Sequence, residues 1–295
     1  MERSAAEADP SPAYGYSTKR FLTLLAAAVC GLGAQPSTAA AQFRADSAGR
    51  DAKRAIGDMW SIWSSPAHVN ARGAEGVALV AGLTAASAFA DEPLHRWMVN
   101  HPDSWPMRVL LHPLTEEARY PAYELGSGQY LLPLSGVLYV AGTMSRSRPL
   151  RDAGLGCATA HLTSAGARDI VYLLIQRDRP RDAPDDPFRI RFPGTRNWNA
   201  HSFFSGHIAN SMGCASFFAH RFALHAAEPL LYAFVSAIGI GRIADGRHWL
   251  SDTVAGAAFG YVVGRTVSAR MLKRERSPEV GGASPATVSI SFPFD

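Results

Sequence analysis

Apolar residues fall in runs separated by short polar breaks along most of the chain. Residues 76–90 form an Ala/Gly-rich apolar run, and residues 125–144 carry no charge and approach the length of one membrane span. Between them, Pro93, Pro102, Pro106, Pro113 and Pro121 break any long helix over residues 92–124. Apolar periodicity predicts further helices over residues 154–175, 207–223, 229–242 and 249–270. The expected fold is all-α: an up-down bundle of about six helices. In the last helix Gly256, Gly260 and Gly264 recur every four residues, a smooth stripe on which another helix can pack closely. One polar stretch, Arg177 to Phe204, reads as a loop of about thirty residues, a length uncommon without a function.

The chain ends read differently. Phe21 to Gly33 is an apolar run after Lys19-Arg20, and Ala39-Ala40-Ala41 stands before Gln42. This predicts a secretory signal peptide over residues 1–41, with an uncleaved N-terminal anchor as the alternative. Residues 42–72 read as a polar lead-in, amphipathic or irregular, with Trp60, Ile62 and Trp63 set to rest on a membrane surface or on the domain. The bundle domain is then expected over residues 73–272. Residues 273–295 form a tail whose last residues, Val288 to Phe294, alternate like a strand. Cys157 and Cys214 each lie inside an apolar helical run and read as small buried hydrophobes rather than a disulfide.

Composition narrows the class. Hydrophobic residues make up 47% and charged residues 18%, apolar for a soluble enzyme and polar for a protein of many spans. The net charge of +4 comes with no Lys/Arg stripe interleaved with aromatics, so nucleic acid is not an expected partner. Arg146, Arg148 and Arg151 precede one helix, and Arg270, Lys273, Arg274 and Arg276 follow the last. In an up-down bundle both groups lie at one pole, which the positive-inside rule makes cytoplasmic. A cleaved signal peptide followed by six full spans would instead place the other pole inside. The conflict disappears if residues 76–90 do not cross, or if the bundle is peripheral.

Chemistry concentrates near the C-terminal end. Arg242, His248 and Asp252 stand in the order Arg-x5-His-x3-Asp. An imidazole and a carboxylate four residues apart share a helix face, so the carboxylate can orient the ring. A guanidinium fork beside them suits a phosphate oxygen. Alone, His-x3-Asp is usually a surface pair or a helix cap. Two further blocks stand upstream: Phe204-Ser205-Gly206-His207 and Arg177-Asp178-Arg179-Pro180.

In this order the three blocks resemble the signature of the type 2 phosphatidate phosphatase superfamily, which includes bacterial nonspecific acid phosphatases and vanadium haloperoxidases. The resemblance covers roughly residues 160–265. It implies that His248 attacks phosphorus and becomes a phosphohistidine, that Asp252 orients it, and that His207 protonates the leaving oxygen. It also implies that Arg179, Arg242, Ser205 and Gly206 bind the phosphoryl oxygens, with Arg177 beside them. No metal or cofactor is implied, because arginines supply the positive charge. Three positions depart from the pattern: Tyr172 stands where a lysine is usual, Phe204 for proline and Gly241 for serine. Tyr172 removes a cation from the cage, which Arg177 or Arg168 would have to replace.

The expected protein is a phosphatase of the bacterial cell envelope, membrane-associated with its site toward the periplasm. Its substrate class is a lipid phosphate such as phosphatidate or a polyprenyl diphosphate. A soluble periplasmic acid phosphatase, a vanadate-dependent haloperoxidase and an inactive membrane scaffold are the competing readings.

Overall fold

The computed structural model describes residues 38–65, 70–115, 126–194 and 201–276. Most of the expected signal segment and tail lie outside them. The chain divides into a first unit, Met1–Ala45, described only from Thr38 on, and a compact second unit, Asp46–Asp295.

The described residues form α1 (Thr38–Ser64), α2 (Ala71–Ala88), α3 (Asp91–Asn100), α4 (Gly128–Met144), α5 (Arg148–Leu174), α6 (Gly206–Arg221), α7 (Glu228–Ala244) and α8 (Leu250–Arg276). The expected all-α bundle is what the chain builds. Local chemistry sets several of the helix starts. The Asn70 side chain accepts the Gly73 N–H at 2.8 Å and caps α2. Pro149 and Pro229 occupy the first turns of α5 and α7, where a missing N–H costs nothing. Asp252 accepts the Trp249 N–H at 2.8 Å at the start of α8.

Two elements were not legible. The lead-in, expected as amphipathic or irregular, is a regular helix, α1, held by Ile62 and Trp63 and by its polar side chains. Asp58 takes ion pairs from Arg270 and Arg274 of α8 at 2.5 and 2.8 Å, Asp51 accepts the Tyr139 hydroxyl at 3.0 Å, and Trp63 donates its indole N–H to the Thr163 carbonyl at 3.0 Å. Helix α3 forms within the proline-broken stretch because Pro93 stands in its first turn.

Helix α8 packs most extensively on α6, and α4 on α5. The glycine stripe explains the first pairing. A Cβ on Gly256 would meet the Ser205 carbonyl at 2.6 Å, and one on Gly260 would collide with the Ala209 carbonyl, so α6 lies directly on the backbone of α8. A core of Ile62, Ala160, Phe217, Val263, Val267 and Met271 joins α1, α5, α6 and α8. Ile208, Met212, Val235 and Ile238 join α6 to α7.

Basic residues near the start of α5 and the end of α8 have acidic partners. Arg148 pairs with Glu275 at 2.6 Å and Arg221 with Asp152 at 2.5 Å, so the start of α5 and the ends of α6 and α8 share the pole away from His248. Among the described residues, 73–100 is the one stretch long and apolar enough to cross a membrane, and little of it is buried. Large side chains stand exposed on α2, α4, α5 and α7, among them Leu83, Phe89, Leu134, Leu174 and Leu230.

The cysteine expectation is corrected. Cys157 of α5 and Cys214 of α6 form a disulfide, with their Cα atoms 4.6 Å apart. Both sit on apolar faces, but those faces are turned to each other, and Gly156 lets the helices come close, since a Cβ there would collide with the Phe217 ring. The bridge closes a separation of 57 residues. In the chain-entropy treatment its loss removes about 4 kcal/mol of stability. Replacing both cysteines by alanine should therefore lower the melting temperature, and non-reducing peptide mapping of the parent should recover the two cysteine peptides as one linked species.

Candidate active site

The three sequence blocks lie at ends of helices, and backbone hydrogen bonds tie them together. Arg177 to Pro180 follow α5. Ser205 is the N-cap residue of α6, with Gly206 and His207 in its first turn. Arg242 ends α7, and His248 stands just before α8. The Ser202 N–H donates to the Arg177 carbonyl at 2.9 Å and the Ser205 N–H to the Asp252 carbonyl at 3.0 Å. The His248 N–H donates to the Arg242 carbonyl at 3.3 Å. All three blocks therefore meet at one pole, as the up-down topology requires.

His248 is 2% exposed. Its Nδ1 lies 2.8 Å from the Ser202 carbonyl oxygen. A carbonyl only accepts, so Nδ1 carries the proton and Nε2 keeps its lone pair. Burial, then Arg242, Arg179 and His207, hold its pKa well below the ordinary value. This favours the neutral ring. His207 is depressed for the same reasons: burial first, then Arg242, Arg168, Arg179 and Arg247. Arg179 donates its Nε–H to the His201 carbonyl at 3.0 Å, and burial among Arg181, Arg242 and Arg247 lowers its pKa to about 10. These arginines and the two imidazoles thus lie within electrostatic reach of one another, an arrangement that an anion relieves. The Ser205 hydroxyl is fully buried and has no hydrogen-bond partner among the described residues, a donor in place for such an anion.

Two sequence assignments change. Asp252 was expected to orient His248 directly, but its carboxylate reaches other groups. Oδ1 takes the Arg177 Nη1–H at 2.5 Å, while Oδ2 takes the Ser202 hydroxyl and the Trp249 N–H. Its hold on His248 runs through Ser202, whose side chain it binds and whose carbonyl holds the ring. Burial pushes the Asp252 carboxyl up, opposed by Arg177, Ser202 and the Trp249 N–H.

Arg177 was expected beside the phosphoryl oxygens. Instead its donors are engaged by the protein: Nε by the Pro187 carbonyl at 2.7 Å, Nη1 by Ser251 Oγ at 2.7 Å and by Asp252, and Nη2 by Asp91 Oδ2 at 2.7 Å. Its guanidinium also lies 5.7 Å from the Trp249 ring centre. It is a buried strut.

Asp91, at the start of α3, escaped the sequence reading because no spacing links it to the blocks. It is 2% exposed. Besides Arg177, it accepts the Ser251 N–H at 2.9 Å and the Ser251 hydroxyl at 2.6 Å. Tyr172 is buried and stacks on His201, with centroids 4.6 Å apart and planes 12° apart, and its hydroxyl donates to the Phe204 carbonyl at 3.4 Å. It supports the backbone that carries Ser205. The Arg168 guanidinium lies 5.6 Å from the Tyr172 ring centre, and a Cβ on Gly206 would meet its Nη1 at 2.6 Å. Of the two proposed replacements for the missing lysine, Arg168 is the one beside Gly206.

Residues 154–276 match the sequence pattern of the PAP2 superfamily. This stretch is a PAP2 superfamily domain. Asp91 lies outside it, so the site of the PAP2 domain is completed by a helix from the preceding sequence. The chain is 38% identical over 78 residues to the lipid A 1-phosphatase of Porphyromonas gingivalis, a match covering 26% of this chain and 17% of that protein. The crystal structure of a transmembrane PAP2 type phosphatidylglycerolphosphate phosphatase from Bacillus subtilis superposes with a TM-score of 0.47 at 21% identity, over 69% of this chain and 98% of that one.

Removing Asp91 strips a charge partner from a buried guanidinium and leaves the Ser251 N–H unsatisfied. Asp91→Ala should cost about 3–5 kcal/mol of stability, and Asp91→Asn, which keeps acceptor and shape, less. Thermal unfolding of the two variants beside the parent checks the order.

Proposed function

We propose that this domain is a phosphatase that hydrolyses the phosphomonoester or diphosphate group of a lipid through a phosphohistidine at His248. One observation carries the reading: the Ser202 carbonyl fixes the Nδ1–H tautomer of a buried, neutral His248 within a ring of arginines. That is the protonation state a nucleophilic imidazole needs.

In the first step Nε2 of His248 forms a bond to phosphorus as the bond to the leaving oxygen breaks. His207 gives that oxygen its proton. Arg179, Arg242, the Ser205 hydroxyl and the Gly206 N–H take up the charge on the three equatorial oxygens, helped by the N-terminal end of α6. In the second step water attacks phosphorus, the P–N bond breaks, and His207 takes the water's proton. The arginines provide the positive charge that a metal provides elsewhere.

His207 is depressed first by burial and then by the cations Arg242, Arg168, Arg179 and Arg247. An incoming phosphate dianion offsets the cations, so substrate binding favours the protonated ring that acid catalysis needs.

The lipid assignment is supported by the large apolar side chains left exposed on several helices and by the lipid A 1-phosphatase relative. The disulfide fits an oxidising compartment, which favours a site outside the cytoplasm. It agrees with the signal segment read from residues 1–41.

His248→Ala is expected to reduce phosphate release from a lipid phosphate to background while leaving the melting temperature nearly unchanged. Rapid quenching of the parent with labelled substrate should trap an alkali-stable, acid-labile phosphoprotein. Near-normal turnover in the variant removes His248 as nucleophile. Sulfate, a dianion that does not titrate near pH 6.5, should bind with net proton uptake at about that pH. Calorimetry in two buffers of different ionisation enthalpy measures it. Binding without uptake contradicts the role given to His207.

A further inference from the structure

The loop after α5 is not the structureless span its composition suggests. It contains a two-stranded antiparallel sheet, β1 (Gln176–Arg177) and β2 (Ile190–Arg191), with Gln176 opposite Arg191 and Arg177 opposite Ile190. Its outer strand therefore pairs directly with the residue that anchors Asp252.

Side chains along this strand divide by face. Arg189 and Arg191 both reach Asp178, which is buried beneath the hairpin, and the Asp178 carbonyl is held by the Trp249 indole at 2.9 Å. The arginine face therefore turns toward the protein. Within β2 the Ile190 side chain points opposite to that of Arg191, and Phe188 and Phe192 flank the strand on either side. Phe188, Ile190 and Phe192 are 65%, 41% and 74% exposed. The guanidinium side chains between them remain about half exposed, at 55% and 54%.

The hairpin also joins α3. Arg96 Nε donates to Asp185 Oδ1 at 3.3 Å, and the next positions on that helix include the exposed Trp97 and Val99. These belong to residues 73–100, the apolar stretch able to enter a membrane. Two exposed phenylalanines, an isoleucine and two half-exposed arginines thus stand on a hairpin that Arg96 ties to this apolar stretch.

We propose that this hairpin face is a docking surface for a phospholipid bilayer. Phe188, Ile190 and Phe192 enter the interfacial zone, and Arg189 and Arg191 meet headgroup phosphates from above. Apolar side chains with flanking guanidiniums suit that zone, where one side is apolar and the other is wet and anionic. A second copy of the chain would have to bury those guanidiniums. The proposal deepens the lipid phosphatase reading, and rests on it only for substrate delivery: a headgroup reaches His248 from the membrane plane while its acyl chains stay in the bilayer.

The test uses the full chain reconstituted in mixed phosphatidylcholine and phosphatidylglycerol vesicles. In a Cys30→Ala background, Phe188→Cys and Asp182→Cys are each labelled with an environment-sensitive nitrobenzoxadiazole probe. The probe at residue 188 should shift to the blue and be quenched by spin-labelled lipid, while the probe at residue 182 should remain water-exposed. Equal water exposure at both positions overturns the proposal. So does a shift at residue 188 that occurs in detergent and grows with protein concentration, because the occupant is then a second copy. The unlabelled pair Phe188→Ser, Phe192→Ser should raise the apparent KM for a vesicle-borne lipid phosphate on the order of tenfold. It should leave turnover of p-nitrophenyl phosphate within twofold. Unchanged kinetics on vesicles overturns the docking role. If the parent releases phosphate from neither substrate, the phosphatase reading fails while the probe at residue 188 still decides the docking.

Discussion

The arrangement depends on one buried cation. Arg177 joins Asp91 of α3, Ser251 and Asp252 of α8, and the Pro187 carbonyl of the hairpin, in a place where neither it nor the two carboxylates meet solvent. Buried ion pairs are poor sources of net stability, because desolvation offsets most of the attraction. Their effect is geometric: a guanidinium fork accepts few arrangements of its partners, and each partner here leads to the site. Asp252 binds Ser202, Ser202 holds His248, and Trp249 packs over the fork. A carboxylate two contacts away thus selects the tautomer of the ring.

Around that frame the site gathers positive charge. Arg179, Arg242, Arg247 and Arg168 all act on His207, and Arg179 itself is lowered to about 10 by burial and its neighbours. The fold holds these like charges together with close helix packing, the glycine stripe of α8 against α6 and the bridge between α5 and α6. Repulsion among these cations is what a bound phosphoryl group would offset under the proposed function.

Legibility in the sequence follows the range of each interaction. Periodicity over ten or more residues gave the six main helices. The motif blocks gave His207, His248, Arg179, Arg242 and Ser205, which the helix ends do bring together. What failed was contact between distant positions. Asp252 stands four residues after His248, a spacing that suggests a direct bond, but the Ser202 carbonyl, 46 positions upstream, holds the ring. Arg177 carries the right side chain for phosphate and is committed elsewhere. Asp91 and the Cys157–Cys214 pairing depend on which faces of which helices meet, and a one-dimensional pattern does not contain that. Helix α1 was left open between amphipathic and irregular, because few of its residues are large and apolar; Ile62 and Trp63 reach the domain, and charged side chains supply the other contacts.

The most direct measurement is an experimental structure of the chain with orthovanadate bound. The account predicts vanadium bonded to Nε2 of His248, its oxygens held by Arg179, Arg242, Ser205 and the Gly206 N–H, and Arg177 still bridging Asp91 and Asp252. Vanadate coordinated by Arg177, or seated away from His248 with that ring turned from the Ser202 carbonyl, would contradict it.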